Sequence, residues 1–295
     1  MGVVSRWSLL GAALFGACSG GGPTAPANGD APTGPPVDAT THEDDGPVDA
    51  PASFADGAGP DGAIVDLDRD GLDDAEEDRI AHAYLPFLSV HPQDGCPLAA
   101  IVYRLHPHPD APGRLHLIVD VLFQRDCGLG GHPGDDEVFA MTIDPAQPPP
   151  DGILAIRAIA HQNTPCQHVS QCGRCAGLEP CTTAPRAGAS FPVVYYSQGK
   201  HGSYTTLGEC NGACFLSNFC VLAPESAAPP MRNAGEPDAP LTTDLTAAGL
   251  ITASAGWTDT SLYHYDPWGG SNFGGAGSVA SDLVDPAFDT PGCLP

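Results

Sequence analysis

Leu115-His-Leu-Ile-Val-Asp-Val-Leu-Phe-Gln124 decides the fold of this chain. Leu115, Leu117, Val119, Val121 and Phe123 alternate with His116, Ile118, Asp120 and Leu122. Successive side chains of a strand point to opposite faces, so this stretch reads as a strand largely buried on both sides. Ala99–Leu105, Glu137–Ile143, Ile153–Ala160 and Pro192–Ser197 are further short apolar or alternating runs between Gly/Pro turns. Long helical patterns are scarce. The predicted fold class is mainly β: a β-sandwich-like domain with one short N-terminal helix. That helix is expected over Asp73 to Tyr84, with Ile80, Ala83, Tyr84 and Phe87 at core-facing spacing. Pro86 ends it. Residues 224–240 read as a Pro-rich surface loop.

Just before the helix stands Asp66-Leu-Asp-Arg-Asp-Gly-Leu-Asp-Asp-Ala-Glu-Glu77. Oxygen ligands fall at loop positions 1, 3, 5, 9 and 12, namely Asp66, Asp68, Asp70, Asp74 and Glu77. Gly71 occupies the sharp turn at position 6, and the carbonyl of Leu72 is available at position 7. A hard cation with six to eight oxygen ligands needs this arrangement, so Ca2+ is the expected cofactor. The stretch resembles EF-hand-type calcium loops, in the variant also seen in thrombospondin type 3-like repeats. Two departures are visible. Position 8 carries Asp73 rather than an apolar residue, and the residues before the loop are rich in Gly, Pro and Ala rather than helical.

Upstream, residues 1–17 read as an export signal. Arg6 supplies a positive charge, and Leu9-Leu-Gly-Ala-Ala-Leu-Phe15 is an apolar core too short to span a bilayer. Small residues directly before Cys18 resemble a bacterial lipoprotein signal, which implies lipidation of Cys18 and a membrane partner reached through that lipid. The expected location is the bacterial cell envelope, at the outer membrane or surface. Residues 18–60 are rich in Gly, Pro, Ala, Thr and Asp and contain no Lys or Arg, the composition of a disordered acidic tether. The folded part is expected over 61–295. A formal net charge of −25 argues against nucleic acid and against electrostatic adhesion to anionic lipid.

The chain has 11 cysteines; removing Cys18 leaves ten, an even number in an exported protein, which predicts up to five disulfides. Spacing does not give the connectivity. The clusters at 166–181 and 210–220 read as loops stapled to themselves or to each other. Cys172-Gly-Arg-Cys175 has the spacing of a zinc site or a redox pair, but the surroundings of neither, and structural disulfides are the expectation.

A second constellation is His132-Pro-Gly-Asp-Asp-Glu137. Asp135 and Glu137 are two apart and project to the same side of an extended chain. With His132 they suit a second divalent metal. His161 and His201 follow predicted strands. The His132-x-Gly-Asp-x-Glu137 pattern resembles the signature of a vacuolar protein sorting-related family. Ala81-His-Ala-Tyr-Leu-Pro-Phe87 and Val194-Tyr-Tyr-Ser-Gln-Gly-Lys-His-Gly-Ser-Tyr204 are similar to further motifs of that family. More distantly, the arrangement resembles the necrosis- and ethylene-inducing-like toxins, β-sandwich cytolysins with a divalent metal. Pro133 and Asp136 replace the usual Glu and Trp.

These features predict a calcium-binding, lipid-anchored, disulfide-stapled envelope or secreted protein with a β-rich domain. Two alternatives use the same residues. One is a metal-dependent hydrolase built on His132, Asp135 and Glu137, with His161 or His201 as general base. The other is a toxin-like membrane-active protein. The aromatic stretch Tyr263-His-Tyr-Asp-Pro-Trp268 would line a groove or pack on the sandwich rim.

Overall fold

The computed structural model describes residues 65–294 other than 67, 97, 129–130, 132, 163–164, 215–218, 226–228 and 234–282. The export signal, Cys18, the tether, His132 and the stretch 263–268 lie outside the described residues.

In chain order the elements are helix α1 (Asp74–Tyr84) and strands β1 (Phe87–Val90), β2 (Leu98–Pro107), β3 (Leu115–Arg125) and β4 (Pro133–Ile143). Strands β5 (Ile153–Ala160), β6 (His168–Gly173), β7 (Thr183–Arg186), β8 (Ala189–Tyr196) and β9 (Ser203–Tyr204) follow. Helix α2 (Leu207–Ala213), strand β10 (Met231–Asn233) and a 3-10 turn at Pro286–Phe288 complete the set. Strands β2 to β6 form an antiparallel meander, and β10 joins its edge in parallel with β2. The smaller sheet has the order β1-β8-β7, with β9 also paired to β8, and its β1–β8 pair is parallel. The fold is mainly β, as its strand patterning dictates.

Burial explains why β3 carries apolar residues on both faces. Leu117, Val119, Val121 and Phe123 join Leu88, Val194 and Tyr196 of the smaller sheet and Ile80, Ala81 and Tyr84 of α1 in the central core. Ile118 and Leu122 face the other way and pack with Val102, Val138, Leu283 and Phe288. Residues 283–294 are thus a strap across the outer face. Arg104 Nη1 donates to Leu283 O at 3.0 Å, and His108 Nε2 lies 2.9 Å from Thr290 O. His116 Nδ1 contacts His106 Nε2 at 3.1 Å beneath the strap. Burial pushes His106 down to about 4 and His116 down to about 3, with neighbouring cationic groups adding to the effect.

All ten described cysteines pair, as Cys96–Cys127, Cys166–Cys214, Cys172–Cys181, Cys175–Cys293 and Cys210–Cys220. The two Cys-rich clusters are stapled both internally and to each other. Cys172 and Cys175 belong to different bridges, so their spacing marks neither a zinc site nor a redox pair.

One element was not expected, and two expectations need correction. A second helix, α2, follows β9; Thr206 caps it by accepting from Glu209 N at 3.1 Å while its hydroxyl donates to Glu209 Oε2 at 3.0 Å. Residues 224–240 are not loop throughout, since 231–233 form β10. Strand β4 begins at Pro133 rather than Glu137, because Asp135 and Asp136 already pair with Phe123 and Leu122.

Candidate metal centre

The loop Asp66–Glu77 is folded by its own carboxylates. Asp66 Oδ1 accepts from Asp70 N at 3.2 Å and its Oδ2 from Gly71 N at 3.0 Å, which draws the loop into a tight curl. Gly71 sits at φ +96°, a conformation that side chains disfavour, which is why position 6 is glycine. Asp70 Oδ1 accepts from Leu72 N at 2.8 Å. The departure at positions 7 and 8 now has a reason. Leu72 packs against the central core and anchors the loop, and Asp73 is the N-cap of α1. Asp73 Oδ1 accepts from Ala75 N and Glu76 N at 3.1 and 3.3 Å.

The remaining acids converge. One carboxylate oxygen from each of Asp66, Asp68 and Asp70 lies within 4.8 Å of the others, and the same holds for Asp68, Asp74 and Glu77. Two ligands of a common calcium ion, each at 2.3–2.6 Å, can be no more than about 5 Å apart. The spacing therefore fits. Glu77 is 0 % exposed, and its Oε1 is buried with no hydrogen-bond partner. Asp70 Oδ2 is in the same state, and neither oxygen of Asp68 meets a well-directed donor. The other oxygen of Glu77, Oε2, accepts from Asn233 Nδ2 of β10.

Such crowding is costly for ionised carboxylates. Burial raises Glu77 to about 8, with the charges of Asp68 and Asp70 adding to it. Burial and Asp70 raise Asp68 to about 6, and burial also raises Asp70. A divalent cation would reverse all three shifts by supplying the missing positive charge.

Asp135 and Glu137 stand opposite Phe123 and Val121 in β3, so they share one face of the sheet, as their spacing predicts. Both are buried. Asp135 Oδ2 lies 2.7 Å from His201 Nδ1. On the other side of the ring, His201 Nε2 is 3.2 Å from Asp94 Oδ2, an ion pair set off the N–H direction. The imidazole stacks on Phe123 with centroids 3.8 Å apart and planes at 4°. Asp94 is itself held by Cys96 N and Gly199 N, both at 2.8 Å. Cys96 lies close enough to join this group, but its sulfur is committed to Cys127.

Burial alone would make His201 hard to charge; the two carboxylates win and lift it to about 9. At neutral pH the ring is a buried imidazolium with no lone pair to act as a base. His161, at φ +55°, ends β5, and its Nε2 faces Gly202, next to His201. The strand ends carrying the two histidines therefore meet. Asp94 and Asn233 were not visible as site residues in the sequence. Asp94 sits in an ordinary turn, and Asn233 lies 156 positions from its partner Glu77.

No protein-family model matches the chain, and no curated protein matches it. Several solved structures do, all remotely. A crystal structure of an NLPPya mutant is 14% identical, covers 61% of this chain and 76% of its own, and superposes with a TM-score of 0.34. NLPPya in complex with mannosamine is 13% identical over 65% of this chain and 82% of its own, at a TM-score of 0.32. A structure titled "Toxin fold for microbial attack and plant defense" is 15% identical over 48% of this chain and 81% of its own, at 0.27.

Proposed function

We propose that the chain is a calcium-binding, lipid-anchored protein of the cell envelope, in which the ion clamps α1 and its loop onto the β-sandwich. The observation that carries this reading is Glu77: it is fully buried, its Oε1 has no hydrogen bond, and one of its carboxylate oxygens lies within 4.8 Å of ligand atoms of Asp68 and Asp74. An unsatisfied buried carboxylate oxygen costs several kcal/mol unless a cation supplies its missing partner (~1–3 kcal/mol even for a neutral group). Oxygen-only donors around a twelve-residue curl suit Ca2+ better than zinc or copper, which favour nitrogen and sulfur. Extracellular calcium modules bind in roughly the 0.1–1 mM range, and that range is the expectation here. The pairing of all ten cysteines beyond Cys18 supports an oxidising location and leaves Cys18 for the lipid that its sequence context implies.

The test is a calcium titration by calorimetry on the oxidised full chain, beside Glu77→Gln and Asp68→Asn. These variants keep side-chain shape and remove one charge each. Asn still offers an oxygen at loop position 3, so saturable heat in the wild type that is lost in Glu77→Gln and weakened in Asp68→Asn supports the reading. Absence of heat with 10 mM calcium in the wild type, or equal heat in all three proteins, overturns it. Radiolabelled fatty acid incorporated at Cys18 and lost in Cys18→Ser checks the anchor.

A further inference from the structure

Glu77 is divided between two tasks. One of its carboxylate oxygens lies within 4.8 Å of ligand atoms of Asp68 and Asp74 and its Oε1 has no hydrogen bond, while its Oε2 is occupied by the side-chain amide of Asn233. Asn233 is the last residue of β10, a three-residue strand that pairs in parallel with β2, with Met231 opposite Ile101 and Asn233 opposite Tyr103. Ile101 N donates to Pro230 O at 2.9 Å, and Met231 is buried in the central core. Tyr103 also reaches the helix, its hydroxyl donating to Asp78 Oδ1 at 3.0 Å. The start of α1 and the edge of the six-stranded sheet therefore meet through Glu77–Asn233 and Asp78–Tyr103.

We propose that Asn233 is a positioning residue of the calcium loop, and that loading the loop locks β10 onto the sheet edge. This rests on the calcium reading above and extends it to a coupling between the ion and a distant strand. The chemistry favours an amide here. A lysine or arginine at this point would neutralise Glu77 and compete with the ion, whereas a neutral N–H donor fixes the carboxylate and leaves its charge for the metal. A carboxylate free to rotate would spend much of its time away from Asp68 and Asp74. A three-residue edge strand has few ladder bonds of its own, so the Glu77 contact is a sizeable share of what holds β10. Coupling is reciprocal: whatever calcium adds to the docking of β10, that docking returns to calcium affinity.

The experiment has two parts on the oxidised full chain. Hydrogen exchange at residues 231–233 is followed in saturating calcium and in chelator. Calcium affinity is then measured for the wild type, Asn233→Ala and the near-isosteric Asn233→Leu, which loses the donor without adding charge. Expected are stronger protection of 231–233 in calcium and a calcium Kd weakened tenfold or more in both variants, the usual size of an outer-shell effect. In the variants the protection of 231–233 becomes indifferent to calcium. Near-UV circular dichroism in calcium separates this from a folding defect. If a variant fails to fold, the exchange measurement on the wild type decides alone. Calcium binding in the wild type with no change at 231–233, or with an unchanged Kd in the folded variants, overturns the inference and leaves the calcium reading standing. No binding in the wild type removes both.

Discussion

The loop Asp66–Glu77 and the cluster around His201 both gather buried or half-buried acids, yet they are opposites. At His201 two carboxylates, Asp94 and Asp135, enclose a ring that becomes their counter-ion. A positive charge is supplied from within to two carboxylates, and Phe123 seals the ring face. In the loop five acids converge, and burial with mutual repulsion raises Asp68, Asp70 and Glu77 above their usual range. Residue inventory does not separate the two, since both would pass as metal-ligand sets. What separates them is whether the carboxylate oxygens already have a donor or counter-ion.

The largest effect should come from His201→Ala. Removing the cation leaves two buried carboxylates facing each other, and breaking a buried pair this way costs about 3–5 kcal/mol. Urea denaturation with and without calcium measures it. A loss under 1 kcal/mol would mean that the cluster is not ionic, and the comparison would collapse. The calcium-induced rise in stability should survive this substitution intact.

Next in size is removal of the ion itself. At a hundredfold excess of calcium over Kd, a ligand that binds only the folded state adds about 2.7 kcal/mol. Chelator should therefore lower Tm by several degrees in the wild type and leave Glu77→Gln unmoved. Equal shifts in both proteins would detach the ion from Glu77.

The His201 cluster should also give the pH profile an alkaline edge. Its pKa rises from 6.5 to about 9 on folding, so its contribution is complete below about 6.5 and fades as pH climbs through 9. His106 and His116 act in the opposite sense. Folding lowers them to about 4 and about 3, so their contribution is complete above about 6.5 and is lost as pH falls toward 4. In saturating calcium, which would keep the loop carboxylates ionised, a Tm plateau near neutrality with a fall on each side is expected; in chelator the raised Glu77, at about 8, adds a loss of stability as pH climbs from about 4.5 through 8. In His201→Ala the alkaline fall should flatten while the acid fall persists.

The smallest effect tests the boundary of the loop. Asp73 stands inside the acidic run, but its Oδ1 caps α1 and its Oδ2 accepts from Val65 N at 3.2 Å. Asp73→Ala should cost about 1 kcal/mol, as N-cap losses do, with calcium affinity unchanged within threefold. A larger drop in affinity would make Asp73 a ligand.

The meander was legible because its strands alternate or are wholly apolar; Ile153–Ala160 was delimited to the residue. Strands β6 and β7 were not, because His168–Gly173 lies within the Cys-rich stretch 166–181 and Thr183–Arg186 just beyond it, and neither carries an apolar run. Helix α2 left a signal that went unread, the capping pair Thr206 and Glu209 three residues apart. The acidic loop Asp66–Glu77 is local and its pattern is visible in twelve residues. The His201 cluster is assembled from three distant segments, and no spacing rule links Asp94, Asp135 and His201. Asn233 is invisible for the same reason.

Topology also imposes an order in time. Strands β2 to β6 are neighbours in sequence and in space, so the meander can form as soon as its own residues are available. The smaller sheet cannot: β1 precedes the meander, and its parallel partner β8 follows it. Strand β10 comes later still, and the Cys175–Cys293 bridge spans 118 residues. Contacts between distant segments form slowly because the intervening chain must first be closed into a loop. Pulse-labelled amides of β3 and β4 should therefore be protected before those of β1 and β8. A refolding chain would pass through a stage in which the meander exists and its inner apolar face is still uncovered, the interval in which aggregation competes most strongly with folding.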